Sequence, residues 1–218
     1  MARLPAVTRD QLAAKDHEYF DSIVGTRGSI RGPYGVLLHS PKLAARVADT
    51  GAFVRYEFGI PENLKETVII ATAKEMHSQY EFSAHAKLAR TAGVSDETIK
   101  SIATGTAPGD LSGDEALLVG YVHELLRDHK VKDATYKALV DRFGEQDTLH
   151  LAVLVGHYLL VAQVLMTVDV ELGEGMVAEI PDIKCLLGHR KCVVRAVLFL
   201  NKDIAVSVSS ACQVAIVL

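Results

Sequence analysis

The 218-residue chain contains no tryptophan, only three cysteines and only six prolines. Cys185, Cys192 and Cys212 all lie near the carboxyl end, and their odd number argues against a disulfide framework. The spacing between Cys185 and Cys192 matches no common structural zinc pattern. We therefore expect no metal site and no cofactor.

The chain also lacks a strongly basic segment. A net charge of -4 and a pI near 6.1 give it no general attraction for nucleic acid or for anionic lipid. The first residues contain no apolar signal-peptide core, and the uncharged run 204–218 is shorter than the ~20 residues of a membrane-spanning helix. We expect a cytoplasmic protein with neither a nucleic-acid nor a membrane partner.

What the sequence does contain, up to residue 172, is a series of helices with clear start and stop signals. Serine, threonine or proline stands at most of the predicted starts, and glycine at many of the ends. No strand-like alternation competes with this pattern, so it predicts an all-α core. The predicted helices are Thr8–Val24, Pro41–Tyr56, Pro61–His77, Ser78–Gly93, Ser95–Gly105, a helix from Ser112, Asp133–Phe143 and Glu145–Val168.

Residues 173–218 differ from this core. From Val193 onward they are rich in β-branched residues and poor in helix caps, which is typical of β or irregular structure. We predict a helical domain over residues 1–172 and an atypical tail over 173–218. The tail is open to three interpretations: a hairpin on the core, a contact for assembly, or a stretch without evolved function.

Three ionisable residues stand out in the helical part. Glu81 and His85 are four residues apart, so on a helix they share one face and can meet. Glu66 lies in an apolar helix, where a carboxylate needs a partner. The pattern predicts that all three converge in one half-buried pocket, although Glu81 and His85 could instead form a simple helix pair.

The same region resembles a known family. The motifs are Lys65-Glu66, Ser78-Gln79-Tyr80-Glu81-Phe82 with His85, the stretch 88–95, and the outlying segments 31–34, 37–41 and 151–158. Together they resemble the carboxymuconolactone decarboxylase-like family of the alkylhydroperoxidase D-like superfamily, over about residues 1–172. The resemblance implies a helical bundle. Ser78 and Glu81 stand where the peroxidase branch has a Cys-x-x-Cys pair, so the branch lacking that pair is the one resembled.

Without a thiolate in the motif, the resemblance implies acid–base chemistry. We expect a lyase that decarboxylates a small carboxylated lactone or keto acid, with His85 delivering the proton, Glu81 orienting His85, and Glu66 holding the relay. Two alternatives stay open: a peroxidase or peroxiredoxin-type antioxidant of the same superfamily, and a non-catalytic homo-oligomeric module.

Other residues of the resembling segments are candidates for holding the substrate. A carboxylated substrate needs a cation, and arginine suits bidentate recognition of a carboxylate. Arg31 is preferred over Arg55, and His39 and Tyr80 are the further substrate-binding candidates. The apolar helix Glu145–Val168 and the segment 36–38 exceed what one bundle can cover, which predicts a homo-oligomer.

Overall fold

The computed structural model describes residues 2–105, 111 and 113–181. The three cysteines and the remainder of the predicted tail lie outside the described residues. Within the described part, all regular structure is helical and no strand occurs. The α-helices are α1 His17–Arg27, α2 Pro33–Leu37, α3 Pro41–Ala52, α4 Glu62–Glu75, α5 Gln79–Thr91, α6 Asp96–Thr104, α7 Gly113–His123 and α8 Asp133–Val168; π-helical turns follow α3 at Phe53–Glu57 and α7 at Glu124–Asp128.

The predicted all-α core is confirmed, and its local signals act as expected. Pro61 and Ser78 stand immediately before α4 and α5, and the Ser95 hydroxyl caps α6 by accepting the Thr98 amide at 3.0 Å. Gly144, at φ 81° and ψ 166°, breaks the helical backbone inside α8. The two helices predicted on either side of this glycine are therefore present as two arms of α8.

The first helix begins later than predicted. Thr8 and Gln11 do form the expected contact, because the Thr8 amide donates to Gln11 Oε1 at 2.8 Å. That contact closes only a short 3₁₀ turn, Arg9–Gln11, and the backbone is extended at Leu12. A second 3₁₀ turn follows at Ala14–Asp16, and α1 starts at His17. A capping pattern fixes one turn locally, but it does not propagate a helix.

Helix α4 lies at the centre of the core. Every residue from Leu64 to Lys74 is buried, because α5, α7 and α8 all pack around it. Glu66 is therefore surrounded by protein. The segment 36–38 is also buried rather than uncovered, which removes one reason for expecting a homo-oligomer.

Helix α8 is the one described helix that is long and apolar enough to cross a membrane, and 44% of its most apolar window is buried inside the protein. Its inward face packs on α4 and α7.

The residues after α8 pack on α5. The Gln79 side chain donates to the Ile180 carbonyl and accepts the Ile180 amide, both at 2.9 Å. Arg90 holds both carboxylate oxygens of Glu179, and Ile180 is buried in the core. The predicted domain boundary at 172 stays a prediction, but the compact unit described here extends to Ile180.

Candidate active site

A glutamate and a histidine from adjacent helices form the centre of the candidate site. His85 Nδ1, on α5, lies 2.7 Å from Glu66 Oε2, on α4. An ionised carboxylate only accepts, so this contact places the ring proton on Nδ1 and leaves Nε2 as the acceptor in the neutral imidazole. Glu66 is 0% exposed and His85 is 6% exposed, so their contact is nearly free of competing water.

Arg55 holds the other side of Glu66. It lies in the π-helical turn Phe53–Glu57, and its Nη2 donates to Glu66 Oε1 at 3.0 Å. Its Nη1 lies 3.5 Å from the Tyr158 hydroxyl, and its main-chain carbonyl accepts a hydrogen bond from Lys65 Nζ. Arg55 thus supplies the cationic partner that a buried carboxylate such as Glu66 needs.

Glu81 approaches His85 from the opposite side of the imidazole. Its Oε2 lies 3.5 Å from His85 Nε2, one helical turn away on α5. Burial raises the pKa of the Glu81 carboxyl above its ordinary value of 4.5, against the lowering effect of His85 and Arg55, and Glu66 adds to the rise. The environment therefore favours the protonated, proton-donating form of Glu81.

Aromatic and histidine side chains close the site on the α8 side. The Tyr158 ring meets the His85 ring edge-on at 4.9 Å between centroids, and burial raises the pKa of its hydroxyl well above 10.0. Burial, followed by the charge of Arg27, lowers the pKa of His157 to about 4. His157 Nε2 in turn lies 3.5 Å from the Tyr34 hydroxyl. These groups are neutral at physiological pH and surround the charged pair with a weakly polar wall.

The structure brings together Glu66, Glu81 and His85, as the sequence predicts. The contacts assign their roles differently, because Glu66 rather than Glu81 fixes the orientation of His85. Glu81 instead faces the unprotonated ring nitrogen. The assignment of these residues as catalytic stays a prediction.

Of the three predicted substrate-binding residues, Arg31 and His39 make no contact with the cluster in the described part of the chain, whereas Tyr80 is near enough to Glu81 for that carboxylate to raise its pKa, after burial. His39 is exposed and lies 2.9 Å from the Pro5 carbonyl through its Nε2. Arg31 is exposed beside the half-buried Tyr80, whose pKa burial raises while Arg31 lowers it. Within the described ranges, no contact joins Arg31 or His39 to Glu66, Glu81 or His85. Their role in holding a substrate stays a prediction, and Arg55 is the arginine that contacts Glu66.

Tyr80 packs tightly on the loop before α2. A Cβ on Gly32 would lie 2.8 Å from Tyr80 Cε1, and Gly32 has a left-handed φ of 54°. Only glycine therefore fits the backbone beside this ring.

Sequence reasoning ranked Arg55 below Arg31 as a substrate-binding candidate and gave Tyr158 no role in the site. Arg55 precedes Glu66 by eleven residues and lies in a π-helical turn, a structure that helix periodicity and capping residues do not predict. Tyr158 sits in the apolar stretch of α8, which reads as core. The signal that could have identified Tyr158 is its hydroxyl within an apolar stretch, because a buried hydroxyl needs a hydrogen-bond partner.

Chemically, the arrangement is an imidazole between two carboxylates. An arginine holds one carboxylate, Glu66, and burial raises the pKa of the other, Glu81. In the described part of the chain, no group of three or more histidine, cysteine, aspartate or glutamate side chains could hold a metal ion. Proton transfer is the chemistry that these side chains supply by themselves.

Comparison with solved structures identifies the fold. The chain is similar to a peroxidase-related protein with an alkylhydroperoxidase AhpD core from Ralstonia eutropha, with a TM-score of 0.65 and 16% identity over 79% of this chain and 93% of that one. It is also similar to the debrominase Bmp8, solved with 2,3,4-tribromopyrrole, with a TM-score of 0.63 and 12% identity over 78% of this chain and 91% of that one. No curated protein matches the sequence significantly.

The sequence matches the model of the carboxymuconolactone decarboxylase family over residues 41–120, a range that contains Arg55, Glu66, Glu81 and His85. This match and the shared helical fold agree with the motifs in the sequence. Over residues 41–120 the chain is therefore similar to the carboxymuconolactone decarboxylase family, and its helical fold is that of the alkylhydroperoxidase AhpD core.

Proposed function

We propose that this chain is a lyase that decarboxylates a small carboxylated lactone or keto acid by acid–base chemistry. The observation that carries the proposal is the buried imidazole of His85 between Glu66, which Arg55 holds, and Glu81, whose pKa burial raises. A purely structural ion pair would need only Glu66. The buried carboxylate of Glu81, 3.5 Å from His85 Nε2, adds a group that can donate a proton.

The roles follow from the two ends of His85. Glu66 orients the ring through Nδ1 and stabilises any positive charge that develops on it, because Arg55 fixes its other oxygen. Nε2 and Glu81 form the reacting end. His85 and Glu81 are 6% and 4% exposed, whereas Glu66 has no exposure, so Glu66 is the most deeply buried of the three.

The reaction then needs two steps. When the bond between the substrate's α-carbon and its carboxyl group breaks, carbon dioxide leaves and the electron pair remains as an enolate. The protonated Glu81, or a His85 imidazolium that has taken up its proton, then donates to that carbon. Water restores the proton afterwards. Edge-on packing of Tyr158 against His85 helps to keep water from competing during the transfer.

A thiol peroxidase has weaker support. Ser78 and Glu81 occupy the two motif positions that would carry thiols, and the described residues contain no cysteine at all. The relatives of similar fold include a debrominase and a peroxidase-related protein, so fold alone does not choose the reaction.

The proposal can be tested with carboxylated γ-lactones and β-keto acids in deuterium oxide. We expect release of carbon dioxide and incorporation of deuterium at the carbon that carried the carboxyl group. His85→Ala should lower turnover by about 100- to 10,000-fold, the usual contribution of a positioned acid–base group.

His123→Ala is the matched control for that experiment. His123 also contacts a glutamate of α4, Glu75, at 3.5 Å, but it lies in a different cluster. Turnover in this variant should be unchanged. Equal turnover in His85→Ala and wild type would reject His85 as the acid–base group.

A further inference from the structure

A groove lined in part by His157 is not used by the proposed reaction. It has a volume of about 370 Å³ and lies between α3 and the second arm of α8. Its lining is mostly apolar. The lining residues are Arg46, Val47 and Thr50 of α3 and Val153, Gly156, His157 and Leu160 of α8. This volume and composition are those of small-ligand pockets.

The buried members of the lining form its floor. Val47 and His157 are 8% and 7% exposed, whereas Val153 and Leu160 are each 40% exposed and form the walls. A ligand with an apolar body would remove both walls from water. Because removing the remaining exposed aliphatic surface from water is favourable, the groove favours an apolar occupant.

Two polar groups give the groove a chemical preference. His157 is neutral, since its pKa is lowered to about 4, and its Nε2 faces the Tyr34 hydroxyl. The same hydroxyl oxygen accepts a hydrogen bond from Arg27 Nη2 at 3.0 Å. His157 therefore contributes a neutral polar ring to the groove lining.

Arg46 supplies a charge at the rim. It is exposed, and within the described residues no carboxylate forms an ion pair with it. The groove lining contains no acidic side chain that would oppose an anion. A carboxylate on the ligand would therefore meet a complementary, unshared cation.

We propose that this groove is a binding site for a small carboxylic acid with an apolar, ring-sized body. The apolar body lies between Val153 and Leu160, and the carboxylate meets Arg46. The site is separate from the reacting end of His85. It adjoins the catalytic cluster only through His157, whose ring lies 5.5 Å from that of Tyr158.

Benzoate and its neutral isostere benzamide are the probes. Binding is followed through the methyl NMR signals of Val47, Val153 and Leu160, and through titration calorimetry. Wild-type protein should bind benzoate with a dissociation constant of about 1 mM or tighter, which corresponds to about −4 kcal/mol. Benzamide should bind more weakly because it lacks the charge.

Gly156 provides a variant that fills the groove without disturbing the fold. A Cβ added there meets nothing within 4 Å, and leucine favours a helix more than glycine does. Gly156→Leu should abolish binding of both probes, while Gly156→Ala, the matched control, should retain it.

Arg46→Gln tests the charge. We expect about three- to fivefold weaker benzoate binding, as for an exposed ion pair, with benzamide unaffected. Lys42→Gln, on the same helix but outside the groove lining, should change neither.

Three results would overturn the proposal. One is the absence of methyl shifts at ten times the expected dissociation constant, and another is unchanged benzoate affinity in Gly156→Leu. The third is a groove closed by a second copy, seen as a wild-type dimer that dissociates in Gly156→Leu and does not respond to benzoate. None of them bears on turnover in His85→Ala.

Discussion

Helix α4 carries two glutamates that each contact a histidine and an arginine, and both arginines come from π-helical turns. The inner cluster is Glu66, His85 and Arg55; the outer cluster is Glu75, His123 and Arg127. The side chain of Glu66 is 0% exposed and that of Arg55 is 16% exposed. The corresponding values for Glu75 and Arg127 are 12% and 46%. The same residue types therefore occupy two different surroundings.

The surroundings change what the groups can do. In the outer cluster, burial works against the charge of Glu75, but the hydrogen bonds of Arg127 prevail and lower its carboxyl pKa below 4.5. Every charge there has a partner. The inner cluster has an additional carboxylate, Glu81, whose pKa is raised by burial. The comparison teaches that a glutamate–histidine pair becomes a candidate proton-transfer site when a second, unshared carboxylate is buried with it.

The largest expected effect is on stability when each arginine is removed. Arg55→Ala leaves the fully buried Glu66 without its cation and should lower the free energy of unfolding by about 3–5 kcal/mol. Arg127→Ala exposes a partly hydrated Glu75 and should lower it by about 1 kcal/mol or less. Urea denaturation measures both. Equal losses would show that the two clusters do not differ in burial.

Truncation of the chain should destabilise α5, which carries part of the inner cluster, more than α7, which lies beside the outer cluster. Cutting after Leu172 removes the Ile180 contacts of Gln79 and the Glu179 contacts of Arg90, both on α5. We expect a loss of about 2–4 kcal/mol from one buried aliphatic side chain and its hydrogen bonds. Hydrogen exchange should rise in α5, which carries Glu81 and His85, more than in α7.

Cutting after Pro181 is the matched control for that truncation. It leaves the Glu179 and Ile180 contacts in place, so the thermal midpoint of the core should stay near that of the full chain. Identical stability of the two truncated proteins would mean that residues 173–181 do not support α5.

The pH dependence of stability should have opposite signs at Glu81 and Glu75. The raised pKa of Glu81 stabilises the folded state below pH 4.5, and that contribution is lost as the pH rises through the folded pKa. As the pH rises from 4.5 to the folded pKa of Glu81, the Glu81→Gln variant should therefore gain stability relative to wild type, by about 1 kcal/mol per pH unit.

Glu75 behaves in the opposite way. Its lowered pKa stabilises the folded state above pH 4.5, and the contribution disappears as the pH falls through the folded pKa. Wild type should lose its advantage over Glu75→Gln on acidification. Unfolding curves at several pH values measure both differences, and a shared sign would contradict the distinction between the clusters.

The smallest expected effect on stability is that of substitutions at a surface where copies of this chain would associate. The π-helical turn that holds Arg55 also exposes Phe53 and Tyr56, and Leu149 on α8 is 65% exposed. We propose that these side chains contribute to a homo-oligomer contact. Sedimentation velocity at micromolar concentration should show more than one chain, and Leu149→Glu should shift the distribution towards monomer. Lys137→Glu, on the exposed first arm of α8, is the control. A monomeric wild type would remove the proposal.

Much of the fold could be predicted because its signals are local. Pro61, Ser78 and Ser95 mark helix starts, and Gly144 separates the two arms of α8, each through its own backbone chemistry. The start of α1 could not be predicted in the same way. Thr8 makes its capping contact, but the extended backbone at Leu12 ends that turn.

The site was predictable to the extent that it is local or resembles a family. The spacing of Glu81 and His85 predicts their contact, and the family motif points to Glu66. Arg55 and Tyr158 reach the site only through tertiary packing, from a π-helical turn and from α8. No periodicity or motif spacing records such a contact.

Cooperation within the inner cluster is tested most directly by the turnover of His85→Ala, Glu81→Gln and the double variant on the same carboxylated substrate. If these two residues act as one proton relay, the double variant should lie within about threefold of the poorer single variant, because losses within a unit do not add. Losses that multiply in the double variant, or unimpaired turnover in His85→Ala, would contradict a shared relay.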